Sequence, residues 1–148
     1  MRAYCFLRYD SGGNMEITVE VVLDGISRME GAGVLVQQIP FHGTFTCKAG
    51  SGVILPGGVD TQVKRGEGPL ELSARYILEG KTKEGETFHL YVENNGSFQS
   101  PEDNKTRPTI LTDYAPLKYL ETAELTGTVE PNGENGVLIK IDCAKSIM

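Results

Sequence analysis

Cysteine is scarce in this chain: three among 148 residues, at Cys5, Cys47 and Cys143, an odd number at wide spacing. Such a set builds neither a disulfide framework nor a C-x-x-C metal or redox motif. Reduced thiols in a cytoplasmic setting are the expectation, with Cys47 and Cys143 read as small buried hydrophobes in strand-like segments. Histidine is scarcer still. His42 and His89 show no H-x-H spacing and no Glu at the fixed offset of a metal-binding barrel, so neither a metal site nor a cofactor is expected. Long apolar runs are missing as well. Arg8 and Asp10 cut the N-terminal segment short of a signal peptide, and no stretch approaches the roughly 18 apolar residues of a membrane span. Basic clusters are also lacking: 14 Lys and Arg stand against 20 Asp and Glu, a net charge of −6. That field repels phosphate backbones and anionic membrane surfaces, so neither nucleic acid nor membrane is an expected partner.

Two partial motifs fail on inspection. Gly80–Thr82 reads GKT like the end of a phosphate-binding loop, but Arg75 stands where the first glycine belongs, and the segment joins two strands instead of opening a helix. Gly50–Gly52 reads GSG without the single residues that separate Gly, Ser and Gly in a nucleophile elbow, so Ser51 is assigned to a tight turn.

What is present is a repeated period-two alternation punctuated by 18 glycines, the pattern of an all-β barrel or sandwich. With 39% hydrophobic residues in a chain of this length, a single domain over 1–148 is expected, residues 1–14 forming an N-terminal segment. Strands are read at Met15–Val22, Phe41–Cys47, Ser51–Leu55, Leu70–Glu79, Glu86–Asn95, Glu124–Glu130 and Gly136–Cys143, the last two closing a hairpin around Pro131–Gly133. Leu117–Leu120 stays open between a strand and a helical turn. Gln99–Pro108 has almost no apolar residue and is read as a mobile loop over the barrel mouth. About eight to ten strands would close on themselves and abolish exposed edges.

Candidate site residues cluster in three blocks. In Pro56–Asp60 the adjacent Gly57 and Gly58 allow backbone shapes closed to other residues, and Asp60 projects from that turn, either bonding local amides or standing as a carboxylate at a pocket rim with Gln62 nearby. In Leu70–Glu79, Arg75 falls on the polar face, where it either pairs with Glu93 across the strands or joins Asp60 and Tyr91 in a buried polar site. Tyr76 and Asn94 fall on the apolar faces of their strands, where a phenol and an amide need partners. They would satisfy each other or orient a ligand.

The blocks FHGTF at Phe41–Phe45, LPGGVDTQ at Leu55–Gln62, ARYILEG at Ala74–Gly80 and YVENNG at Tyr91–Gly96 resemble the DUF3237 (UPF0311-like) family of small β-barrel proteins over roughly Met15 to Asp142. The family pattern maps onto Gly43, Phe45, Gly57, Gly58, Asp60, Gln62, Arg75, Tyr76, Asn94 and Gly96. His42 departs from it in place of the first of two paired glycines, and Thr61 where a Trp is frequent. The resemblance implies an all-β, closed antiparallel barrel, lipocalin-like or allene-oxide-cyclase-like, of a kind that often holds a small organic molecule and often forms homo-oligomers. On that basis Asp60 and Arg75 are expected as catalytic groups for an isomerisation or cyclisation, with Gly57, Gly58, Gln62, Tyr76, Tyr91, Glu93 and Asn94 as ligand contacts. The competing expectation is a non-catalytic oligomeric module whose barrel is filled by its own side chains.

Overall fold

The computed structural model describes residues 15–143; the N-terminal segment and Cys5 lie outside them. Alternation writes the first strand directly. In β1 (Met15–Leu23) Met15, Ile17, Val19 and Val21 are buried while Glu16 and Glu20 are exposed. The same period recurs in β6 (Leu70–Lys81), β7 (Thr87–Phe98) and β8 (Lys105–Thr112), whose inward residues are the even-numbered ones. β9 (Leu125–Pro131) and β10 (Gly136–Cys143) form the expected closing hairpin.

Closure is the work of β3 (Val34–Cys47). Its first half pairs with β2 (Ser27–Gly31) on one side and β5 (Val59–Arg65) on the other, and its second half with β1 and β4 (Gly50–Ile54). β6 in turn takes β5 along Leu70–Arg75 and β4 along Leu78–Lys81. Because β4 and β5 share one position in the ring and β1 and β2 another, ten strands make an eight-position antiparallel barrel closed by β1 against both β3 and β10. The expectation of a closed antiparallel barrel is met.

One end of the cylinder is solid. Phe45 and Phe88 meet edge to face with ring centroids 6.1 Å apart, among Met15, Ile17, Leu78, Leu90, Ile110 and Ile141. The open segment at Leu117–Leu120 proves to be a 3-10 helix, Ala115–Glu121, with Pro116 in its first turn. Its buried Leu117, Tyr119 and Leu120 plug that end. Gly80 makes room for the aromatic pair, since a Cβ there would fall 2.7 Å from the Phe45 ring and 2.8 Å from that of Phe88.

Three expectations change. Asp60 sits within β5, one residue inside the strand, and the turn before it is confined to Pro56–Gly58 with Gly57 at φ +111°. β2 and the first half of β3 extend the sheet where no strand was read. The expected loop shortens, because Lys105–Pro108 belongs to β8. The turn that remains is tied by Asp103, whose Oδ2 accepts the backbone N–H of Gln99 at 2.6 Å and of Ser100 at 3.1 Å.

Replacing Gly80 by alanine should push both rings off their packed positions and destabilise the protein by about 1–3 kcal/mol, as overpacking does. A urea midpoint equal to that of the parent would show that the rings have slack.

Candidate functional site

The other half of the barrel is not filled. A cavity of about 150 Å³ lies inside it, walled by Val21, Leu23, Ile39, Phe41, Leu72, Phe98, Val129, Val137 and Ile139, with Asp60, Gln62, Ala74 and Asn94 completing the lining. Strand register sets the polar members side by side. Ile39, Asp60, Ala74, Asn94 and Pro108 are successive partners around the ring, and Gln37, Gln62, Leu72 and Gly96 form the next row. The methyl group of Ala74 is the small spacer that keeps the gap between Asp60 and Asn94 open.

A relay of amides orients the carboxylate. Gln37 Nε2 donates to Gln62 Oε1 at 3.0 Å, and Gln62 Nε2 donates to Asp60 Oδ2 at 2.8 Å. Asp60 Oδ1 is buried with no partner among the described residues. Burial pushes the Asp60 carboxyl above its usual range, and the Gln62 hydrogen bond opposes that only in part. Asn94 is 1% exposed, and its Oδ1 also has no partner. Nearby, Thr106 Oγ1 is buried and unpartnered, in the place that a side chain at Gly127 would fill: a Cβ there would stand 2.4 Å from Thr106 Oγ1 and 3.5 Å from Asn94 Oδ1. Buried polar atoms left unmatched are rare in native interiors and call for an explanation.

The other expected site residues divide by face. Tyr76 points inward but lies below the cavity, packed edge to face on Phe41 at 5.4 Å. Its phenol is pushed far above its ordinary range by burial, and its Oη has no partner, so it does not bond Asn94. Arg75, Tyr91 and Glu93 are odd-numbered and point outward. The Arg75 side chain is 62% exposed and sits 3.7 Å from Glu93, which also accepts from Tyr91 Oη at 3.5 Å and Asn95 Nδ2 at 3.3 Å. These three residues therefore do not meet Asp60, and Arg75 takes the cross-strand pairing, worth about 1 kcal/mol or less at the surface. Gly57 and Gly58 are not on the cavity lining; a Cβ on Gly58 would press on the Phe41 ring at 3.0 Å and on Tyr76 at 3.3 Å.

Two departures from the family pattern also sit outside. His42 Nδ1 lies 2.8 Å from Asp24 on the surface, and Thr61 Oγ1 accepts from Gln38 Nε2 at 3.4 Å. His89 is held between Glu79 at 2.9 Å and Asp113 at 2.7 Å on the outer wall, and the two carboxylates raise its pKa. Cys47 is half-buried with its thiol pushed upward by burial, unlike a reactive thiolate. Among the described residues no group of three His, Cys, Asp or Glu could hold a metal ion, and no helix is long and apolar enough to cross a membrane. Gln37, Thr106 and Gly127 were not anticipated. The signal that could have found Thr106 was its even spacing with Pro108 and Ile110.

Fold and cavity together define a closed antiparallel β-barrel protein with a small, largely apolar interior pocket. The chain belongs to the family described as Protein of unknown function (DUF3237), whose model matches residues 14–109. It is 33% identical over 82 residues to a UPF0311 protein of Clostridium acetobutylicum, a match that takes in 55% of this chain and only 40% of that relative's length. Among solved structures it is similar to a protein with unknown function from Clostridium acetobutylicum, at TM-score 0.72 and 26% identity over 87% of this chain and 94% of that one. It is also similar to an enzyme from Penicillium herquei, at TM-score 0.60 and 14% identity over 87% of this chain and 93% of that one, a likeness of fold alone.

Asp60 gives a pH signature with a definite sign. Its pKa is raised in the folded state, so folding favours the protonated acid, and stability falls as pH climbs from the ordinary value of 3.8 through the folded one. Asp60→Asn should therefore melt higher than the parent at pH 7 and match it near pH 3. Equal melting temperatures at both pH values would show that the carboxylate is not penalised by burial.

Proposed function

We propose that this barrel binds a small organic molecule in its open half and that Asp60 serves as the acid–base group of a proton-transfer reaction such as an isomerisation or cyclisation. The observation that carries this reading is the carboxyl itself: half-buried, oriented through one oxygen, unpartnered through the other, and set on the lining of an apolar cavity. A carboxyl whose pKa is moved upward comes closer to the operating pH, where proton transfer is most effective. It is also a feature that selection for stability alone would remove. The volume of about 150 Å³ falls below the usual range of drug-sized pockets and suits a single ring or a short branched chain. The enzyme from Penicillium herquei supports the view that such a barrel can host catalysis, by analogy of fold and no further. The odd number and wide spacing of the three cysteines support a reducing, cytoplasmic setting.

The test is a thermal-shift screen of ring-sized metabolites on the parent, Asp60→Ala and Asn94→Ala. A ligand that binds the native fold raises the melting temperature in proportion to its occupancy. Genuine hits should lose most of that rise in both variants; hits that keep it in full would remove Asp60 and Asn94 from the site.

A second reading, an oligomeric module, is favoured by one observation on the outer wall. Ile77, Tyr91 and Leu111 are successive register partners there, and Ile77 is 42% and Leu111 58% exposed. Such a row suits a contact between copies of the chain. If it is one, Leu111→Lys should shift the sedimenting species from oligomer to monomer; a parent that sediments as a monomer at all concentrations would end this reading.

A further inference from the structure

If the interior cavity is a binding site, as proposed above, its charges and hydrogen-bonding atoms restrict what can occupy it. Asp60 is the one ionisable group among its described lining residues. The cations nearest along the strands are committed elsewhere. Lys64, on the same face of β5, donates to the Gly68 carbonyl at 2.6 Å, and Arg75 points outward beside Glu93. A carboxylate or phosphate entering the cavity would give up its hydration to face another acid with no counter-charge on the described lining, Lys64 lying one row beyond it with its ammonium on the Gly68 carbonyl, which is unfavourable.

What the cavity asks for is a donor. The relay from Gln37 fixes the carbonyl end of Gln62 away from Asp60 and its amide end on Asp60 Oδ2, and no described group donates to Asp60 Oδ1. That oxygen needs an N–H or O–H from outside the protein's own lining. Across Ala74, two strand spacings or about 10 Å of backbone away, Asn94 Oδ1 is unpartnered in the same way among the described residues. Between the two acceptors the walls are apolar and offer a slot for a ring.

We propose that the ligand is an uncharged, hydroxyl-bearing ring compound that donates to Asp60 Oδ1 and, where it carries a second hydroxyl, to Asn94 Oδ1, and that anionic ligands are rejected. The hydroxyl enters as a neutral group and leaves its proton shared with the carboxylate, so binding needs no redox partner and no covalent step.

Matched probes test this on the unmodified protein by calorimetry, with amide chemical shifts of Gln62 and Ala74 reporting the place of binding. Phenol and toluene have the same heavy-atom shape and differ in one donor, and benzamide and benzoate differ chiefly in charge. Phenol should bind roughly tenfold or more tightly than toluene, the worth of one hydrogen bond to a charged acceptor. Benzamide should bind where benzoate does not. Asp60→Leu should erase the preference for phenol while toluene still binds. The same two pairs decide the matter without that variant if it fails to fold. Toluene binding as tightly as phenol, or benzoate as tightly as benzamide, with shifts at Gln62 and Ala74, would overturn the ligand class while leaving the cavity a binding site. If none of the four probes binds, or all shifts fall outside the cavity, the binding-site reading itself fails and takes the ligand class with it.

Discussion

Everything in this molecule depends on β3 reaching far enough to serve four neighbours. Its fourteen residues bridge β2 and β5 at one end and β1 and β4 at the other, and without that span the sheet would end in two long unpaired edges. Closure has a second effect. Once the sheet is a cylinder, the two faces of every strand stop being equivalent, and the parity of a residue decides whether it meets water or the interior. Arg75 and Tyr76 are neighbours in sequence and live in different solvents for that reason.

Parity was legible where the inner face is apolar. The alternation of β1 and β6 assigns Ile17, Val19, Leu72 and Leu78 to the core directly, and it assigns Tyr76 and Asn94 to the same side against their polarity. It fails where the face is mixed. β5 is half-buried along nearly its whole length and lines its cavity with Asp60 and Gln62, so VDTQVKR carries no clean period, and the glycines before it drew Asp60 into a turn. β2 is exposed on both faces and offers nothing to alternate. Thr106 was hidden in a polar run whose other members, apart from Pro108 and the half-buried Asn104, lie at the surface. The pairings that close the ring, β1 with β10 and with β3, join segments far apart in the chain and leave no local trace.

The two halves of the barrel make opposite use of the same construction. At the plugged end glycine gives way to aromatic rings, as at Gly80 under Phe45 and Phe88, and the interior reaches close packing. At the other end the small Ala74 stands beside volume left unclaimed, and Asp60 Oδ1 and Asn94 Oδ1 on its lining go unmatched among the described residues. A chain selected only for folding would fill that space with leucine. Those two unmatched atoms, Asp60 Oδ1 and Asn94 Oδ1, belong to the cavity lining itself.

Sealing a sheet into a tube leaves β2 as the strand with one flank bare, since its pairing is with β3 alone among the described residues. A bare flank is a template on which a second chain can be laid down. Here it is five residues long, and Arg28 and Glu30 stand upon it 3.8 Å apart, charged groups that a stacking neighbour would have to strip of water. Protection of that flank thus rests on a short stretch of sequence whose Arg28 is the register partner of Gln37, and substitutions there would be felt in the test tube as turbidity.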